Sequence, residues 1–280
     1  KLRHYWGPLA SPKVGDWIAD ATAALLRDAS RRPDVLFTYL PTLDYVLQRF
    51  GPDDARCATS YAALERQLAT IIPAAREQGY DVVICGDYAI APATRAVYPN
   101  RALAEAGLFA TRQAGGMSYP DFHTARAFAV VDHEVAHVHV HDPADIPAAR
   151  EALAGVDGIA EVLTAAEAGL AHANSGELIL IAADGAWLAY PWWSQGERGP
   201  DYASHIDIHN KPGFDPCELF FAGWPPMSIS QDTSRIRGTH GRAGADRPVV
   251  FATTLPLGEQ PETLIDLSAA IRDWLNQESC

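Results

Sequence analysis

Cysteine is scarce in this chain. The four cysteines among 280 residues lie far apart and form no CxxC pair. Their spacing excludes a zinc ribbon and the disulfide framework of a small secreted domain. Free thiols in a reducing compartment are the simplest interpretation, so we expect a cytoplasmic protein.

Long apolar runs are absent as well. The best candidate for a membrane span, ELILIAADGAWLAYPWW, is interrupted by Asp184 and Gly185. A spanning helix needs roughly 18 or more apolar residues. No secretory signal is visible, and we expect no membrane partner.

Positive charge is in deficit, with 22 Lys and Arg against 35 Asp and Glu and a formal net charge of -13. A protein that binds the nucleic-acid backbone needs a basic face, so we expect no nucleic-acid polymer as partner. The sequence also lacks a P-loop, a GxSxG elbow and a GxGxxG after its first apolar run. Several common nucleotide-binding and hydrolase classes are thereby excluded.

What remains is a globular composition, 48% hydrophobic and 20% charged. Residues 34–40 (DVLFTYL) and 80–87 (YDVVICGD) are predicted strands, and residues 61–79 between them have helical spacing. Because both strands are almost continuously apolar, this order predicts a parallel sheet covered by helices. The predicted fold class is α/β, with a doubly wound, mostly parallel sheet and helices on both faces.

A second, smaller unit is predicted inside this core. Residues 126–142 alternate as strands do, and residues 176–193 are expected to form a hairpin that turns at Asp184-Gly185. We therefore predict an inserted α+β cap over residues 122–193. The core would consist of residues 1–121 and 194–280.

Two acids follow the predicted strands. Asp44 lies just beyond the first strand, and Asp87 ends the second. Ligand sites of open α/β sheets form beyond the carboxyl ends of the strands, so both acids are candidate metal ligands. A helix N-cap or a loop acid is the alternative for each.

Histidines supply further candidates. His240 lies between glycines in GTHG, where backbone can approach a ligand closely, although a turn histidine gives the same pattern. His137, His139 and His141 alternate, so a strand would place three imidazoles on one face. Such a face could hold zinc or could simply be half solvated.

Four other residues could line a site. Asp132 and His133 follow a strand-like run, and His209 and Asp215 lie in a loop-rich stretch with several Pro and Gly residues. For the two loop residues, a capped loop is an equal interpretation. The aromatic residues of WLAYPWW are interpreted as packing rather than as a stacking platform.

Three segments in order, YLPTLDYVLQRFGP, VVICGDYAIAP and GTHGR, resemble the alkaline phosphatase superfamily. The likeness is to its nucleotide pyrophosphatase/phosphodiesterase branch, which includes phosphonoacetate hydrolase-like members. It covers most of the chain and implies that Asp44, Asp87 and His240 are metal ligands. The family has a His four residues after the first Asp and another directly after the second. Those positions here hold Gln48 and Tyr88.

The resemblance implies a hydrolase of phosphate esters, of the phosphodiesterase or nucleotide pyrophosphatase type, with two divalent metals. Zinc is the expected metal, or Mn or Mg because the altered ligands suit a harder ion. His133, His209 and Asp215 are candidates to replace the missing ligands. The expected partner is a small-molecule phosphate ester. Three basic residues are candidates to contact a phosphate oxygen: Lys211, Arg235 and Arg237.

The family's Thr or Ser nucleophile comes from a strand before the first matched Asp. Only 43 residues precede Asp44, and the chain starts at Lys1 rather than Met. We therefore expect the nucleophile and one metal ligand upstream of this sequence. Two alternatives remain open. Gln48 and Tyr88 favour a degenerate member that binds a small molecule or partner without catalysis, and a metal-dependent phosphomutase would share the broad fold.

Overall fold

The computed structural model describes residues 4, 5, 7–194, 196–204, 220–222, 228–258 and 260–278. Three of the predicted site residues, His209, Lys211 and Asp215, lie outside these ranges.

The described residues include six α-helices. These are α1 (Pro12–Arg27), α2 (Asp44–Phe50), α3 (Ala58–Glu77), α4 (Pro99–Glu105), α5 (Ile146–Ala154) and α6 (Leu264–Glu278). The helix predicted over residues 61–79 is confirmed as α3. None of the helices in the described ranges is long and apolar enough to cross a membrane.

The strands are short. They are β1 (Val83–Cys85), β2 (Ala91–Pro92), β3 (Arg95–Val97), β4 (Thr111–Ala114), β5 (Met117–Pro120), β6 (Ala127–Asp132), β7 (Val135–Val140), β8 (Ile159–Thr164), β9 (Leu178–Ala182), β10 (Ala186–Leu188), β11 (Gly238–Thr239) and β12 (Phe251–Thr253). Strands β6, β7, β9 and β8 form a four-stranded antiparallel sheet in that order. The others pair in twos, as β1–β12, β2–β11, β3–β10 and β4–β5.

The α/β class is confirmed, but the described strands do not show the expected parallel order. Within the described ranges, β3 and β10 form the one parallel ladder. The second predicted strand is reduced to β1, which pairs antiparallel with β12. Residues 34–40, the first predicted strand, form no β-ladder with other described residues, and Phe37 is 88% exposed. An apolar run becomes a buried strand only where neighbouring strands cover it.

The hairpin predicted over residues 176–193 is wrong. Strand β9 pairs with β7 and β8, whereas β10 pairs with β3. The turn at Asp184-Gly185 therefore carries the chain from one sheet to another. The glycine has φ of 70°, and its carbonyl accepts from the Thr94 N–H at 2.8 Å. The turn residues were visible in the sequence, but their strand partners were not.

The largest hydrophobic core lies between the four-stranded sheet and helices α4 and α5. Leu153 of α5 and Leu180 of β9 are fully buried there. Leu103 and Leu108, which precede residue 122, pack into the same core. Packing is thus continuous across the predicted boundary, and the cap over residues 122–193 stays a prediction.

We expect Leu180→Ala to lower the free energy of unfolding by about 2–5 kcal/mol, because it leaves a cavity in a close-packed core. Leu170→Ala is the matched control, since that side chain is 43% exposed and its loss should cost no more than about 0.5 kcal/mol. Urea denaturation measures both. Equal midpoints for the two variants would contradict the assigned core.

Candidate active site

Asp44 is the first residue of α2, and its side chain is only 6% exposed. One carboxylate oxygen, Oδ1, accepts from Gln48 Nε2 at 2.9 Å and from the Tyr88 hydroxyl at 3.0 Å. Gln48 reaches it because residues four apart lie on one helix face. The other oxygen, Oδ2, is buried and has no hydrogen-bond partner among the described residues. Oδ2 is thus the carboxylate oxygen that is available to another group.

The surroundings of Asp44 disfavour an uncompensated negative charge on its carboxylate. Burial raises the pKa of its carboxyl most, and the nearby charge of Asp87 raises it further. The hydrogen bonds from Tyr88 and Gln48 act in the opposite direction. Asp87 itself is exposed in a bend just after β1. The Asp87 charge thus disfavours a second negative charge on Asp44, and a cation at the site would relieve this.

Three rings form a stack beside Asp44. The Tyr88 and His240 rings are nearly parallel, with centroids 3.9 Å apart. His133 covers His240, also at 3.9 Å. Burial raises the pKa of Tyr88, so its hydroxyl stays a donor. Burial and the neighbouring His133 lower the pKa of His240 to about 3, which keeps this imidazole neutral and able to act as a ligand.

His133 takes a strained backbone conformation. It is the first of the two residues that join β6 to β7, with φ of 55°. Glycine is the usual residue at such a position in a two-residue hairpin. Strain of this kind, about 1–3 kcal/mol, persists where the surroundings fix it and often marks functional sites. Asp132 is exposed, with Oδ1 3.7 Å from His133 Nε2.

The glycines of GTHG let the chain approach α2. A Cβ on Gly238 would lie 2.3 Å from the Leu47 carbonyl oxygen, so no other residue fits there. The Arg237 N–H donates to the Gln48 carbonyl at 2.8 Å. The approach expected at this motif was to a ligand; the approach that the structure shows is to the helix that carries Asp44.

Other candidates are engaged elsewhere. His137 and His139 lie on the half-buried face of β7, where the Gly176 N–H donates to His137 Nδ1 at 3.2 Å and His139 stacks on Phe128. Exposed His141 lies beyond the end of that strand. The Arg235 side chain donates to the Phe221 carbonyl at 2.6 Å.

One site residue escaped the sequence argument. Tyr39 lies near Tyr88, and after burial and the Asp44 charge its hydroxyl also contributes to the raised pKa of Tyr88. Tyr39 opens the segment YLPTLDY, so its position in that motif was the available signal.

The donor set determines which cation fits. No three His, Cys, Asp or Glu side chains converge on one point within the described ranges, as a zinc site requires. Mg²⁺ and Mn²⁺ differ, since one or two carboxylates, waters and substrate phosphate suffice for Mg²⁺ and oxygen ligands suit both. The unpartnered Oδ2 of Asp44, with Asp87 nearby, fits such an ion.

Comparison with known proteins gives a family match. The model of the type I phosphodiesterase / nucleotide pyrophosphatase family matches residues 1–215. No curated protein sequence matches this chain.

A solved enzyme structure has the same fold. Phosphonoacetate hydrolase from Sinorhizobium meliloti 1021, in complexes with phosphonoformate and with phosphonoacetate, is 17% identical with a TM-score of 0.56. The match covers 94% of this chain and 57% of the hydrolase, so the chain spans little more than half of that protein. Murine ectonucleotide pyrophosphatase / phosphodiesterase 5 is 11% identical, with a TM-score of 0.48 and coverage of 80% and 51%.

We expect stability to fall as the pH decreases below about 6.5. The unfolded chain protonates its His240 near 6.5, whereas the folded state resists this until about 3. The unfolded state therefore binds more protons between these pH values. The free energy of unfolding then falls by at most about 1.4 kcal/mol for each unit by which the pH decreases. Urea midpoints measured from pH 7 to 4.5 test this. In His240→Phe, which keeps a ring in the stack, the midpoint should fall less steeply as the pH decreases.

An NMR titration of the His240 imidazole, assigned with the same variant, is the direct check. A midpoint near 6.5 would contradict the buried, neutral ring.

Proposed function

Because the chain belongs to the type I phosphodiesterase / nucleotide pyrophosphatase family, we propose that it acts as a metal-dependent hydrolase of phosphate esters. The phosphodiesterase or nucleotide pyrophosphatase type is the proposed activity. The observation that carries the proposal is Asp44, whose Oδ1 is held by two donors while buried Oδ2 has no partner among the described residues. An acid arranged in this way suits a cation.

We assign Asp44 and His240 as residues that would hold one divalent cation and Asp87 as a residue that would hold a second, with Mg²⁺ or Mn²⁺ in preference to zinc. A bound cation of this kind polarises a phosphoryl oxygen and neutralises charge that develops on it. The two carboxylates supply the negative charge, and His240 supplies a neutral nitrogen.

The neighbours of Asp44 orient it. Gln48 and Tyr88 fix the carboxylate by bonds to one oxygen, which turns the other oxygen in a set direction. The His133 and Tyr88 rings both pack against the His240 ring, each with its centroid 3.9 Å away. Site groups held in this way need no reorganisation when substrate binds.

The substrate is proposed to be a small phosphate or phosphonate ester. The phosphonoacetate hydrolase of the same fold was solved with small phosphonates, which supports an anion of this class. No residue described here is assigned as nucleophile. The resemblance implies a Thr or Ser in that role.

One observation favours a second function. Both family His positions hold groups that donate to Asp44, namely the Gln48 amide and the Tyr88 hydroxyl. Donors of this kind can stabilise a carboxylate without a metal. The second candidate is therefore a non-catalytic member that binds a phosphate ester or another small ligand.

Metal content separates the two functions. After incubation of the full-length protein with Mn²⁺ or Mg²⁺ and desalting, elemental analysis should give near-stoichiometric metal, and Asp44→Ala and Asp87→Ala should both lose most of it. Asp157→Ala is the matched control, because that acid is exposed and pairs only with Arg95 among the contacts described. A wild type without metal would overturn the hydrolase proposal and leave the binding function.

Activity gives the second test. We expect the full-length protein to cleave bis(p-nitrophenyl) phosphate in the presence of Mn²⁺, and Asp44→Ala to reduce kcat/KM by about a hundredfold or more, a loss typical of a displaced electrostatic group. EDTA should abolish turnover. Turnover that survives both EDTA and Asp44→Ala would show that the assigned acid is not used.

A further inference from the structure

Glu134 is a buried charge outside the ligand set. It is the second residue of the β6–β7 loop and has no exposed surface. One carboxylate oxygen accepts from the Arg242 backbone N–H at 3.0 Å, and the other lies 3.4 Å from Arg247 Nη2. Burying a carboxylate costs several kcal/mol when it is unpaired, so these two donors are what allows a charge at this depth.

The backbone of Glu134 holds the same part of the chain. Its N–H donates to the His240 carbonyl at 2.9 Å. Between His240 and Arg242, Gly241 has φ of 123°, and an added Cβ would lie 3.3 Å from the Glu134 nitrogen. A single residue of the β6–β7 loop thus binds the peptide groups on both sides of Gly241.

We propose that Glu134 is a positioning residue that fixes the His240 ring against Tyr88 and His133. The backbone that carries the ring has little freedom, because the His240 carbonyl and the Arg242 N–H are both hydrogen-bonded to Glu134. Groups that orient a ligand from behind in this way matter nearly as much as the ligand itself. The catalytic consequence rests on the proposed function, whereas the positioning does not.

The geometry requires a carboxylate rather than any polar side chain. Both partners of Glu134 are donors, the Arg242 N–H and the Arg247 guanidinium. A glutamine offers one oxygen, so one of the two donors would face an NH₂ group. The chain also offers a matched acid, Asp184, which pairs with the same two arginines but has a side chain 78% exposed.

The test compares Glu134→Gln with Asp184→Asn in the full-length protein, each an isosteric loss of one charge beside the same arginines. His240 ring signals are assigned by NMR with His240→Phe. We expect Glu134→Gln to move the His240 signals toward those of an unstacked imidazole and to lower kcat about tenfold or more, because small displacements of a catalytic group are costly. Asp184→Asn should leave both readouts as in the wild type.

Wild-type His240 signals in folded Glu134→Gln would overturn the proposal. If that variant does not fold, Glu134→Asp keeps the charge but is too short to reach both donors, and the same criterion applies to it. Shifted signals with unchanged turnover would overturn the catalytic consequence alone. A wild type without hydrolase activity would overturn the proposed function only, because the His240 signals are read without substrate.

Discussion

Burial of the Asp44 carboxylate is the constraint on which the site depends. A buried carboxylate must be bound, and here one oxygen takes two donors, from Gln48 and Tyr88. Tyr88 can donate only while protonated, and its ring then covers His240. His240, held in the stack, stays neutral. The neutral states of Tyr88 and His240 thus follow first from the burial of each group, with the Asp44 charge adding to the effect on Tyr88 and His133 to that on His240.

The same arrangement explains why two functions compete. In the family resemblance a His follows each acid, and imidazole nitrogens would bind metal there. Gln48 and Tyr88 instead donate hydrogen bonds to Asp44, and these bonds stabilise its charged form. Loss of the two His ligands weakens the binding of zinc more than that of Mg²⁺ or Mn²⁺. Zinc needs several protein ligands, whereas the harder ions accept water and substrate oxygens. The donors thus retune the acid for a harder ion, or replace the ion altogether.

The sequence predicted which residues meet better than it predicted the sheet. Asp44, Gln48, Tyr88 and His240 lie in three short motifs, and the structure brings their side chains together. Strand pairing depends on partners distant in sequence, so the turn at Asp184-Gly185 was visible but the partner of β10 was not. The positive φ of His133 could not be predicted for a different reason, because the whole hairpin sets this backbone angle.

Glu134 shows how far such non-local contacts reach. Its charge pairs with Arg242 and Arg247, more than one hundred residues away in sequence. Removing Glu134 alone would leave the Arg247 guanidinium and the Arg242 N–H without this acceptor, whereas replacing a whole buried ion pair by apolar residues is often neutral, so stability alone does not account for the pair. An acid does what an apolar residue cannot, because it binds two donors in fixed directions. The β6–β7 hairpin thereby becomes part of the site, holding His240 from behind rather than merely covering it.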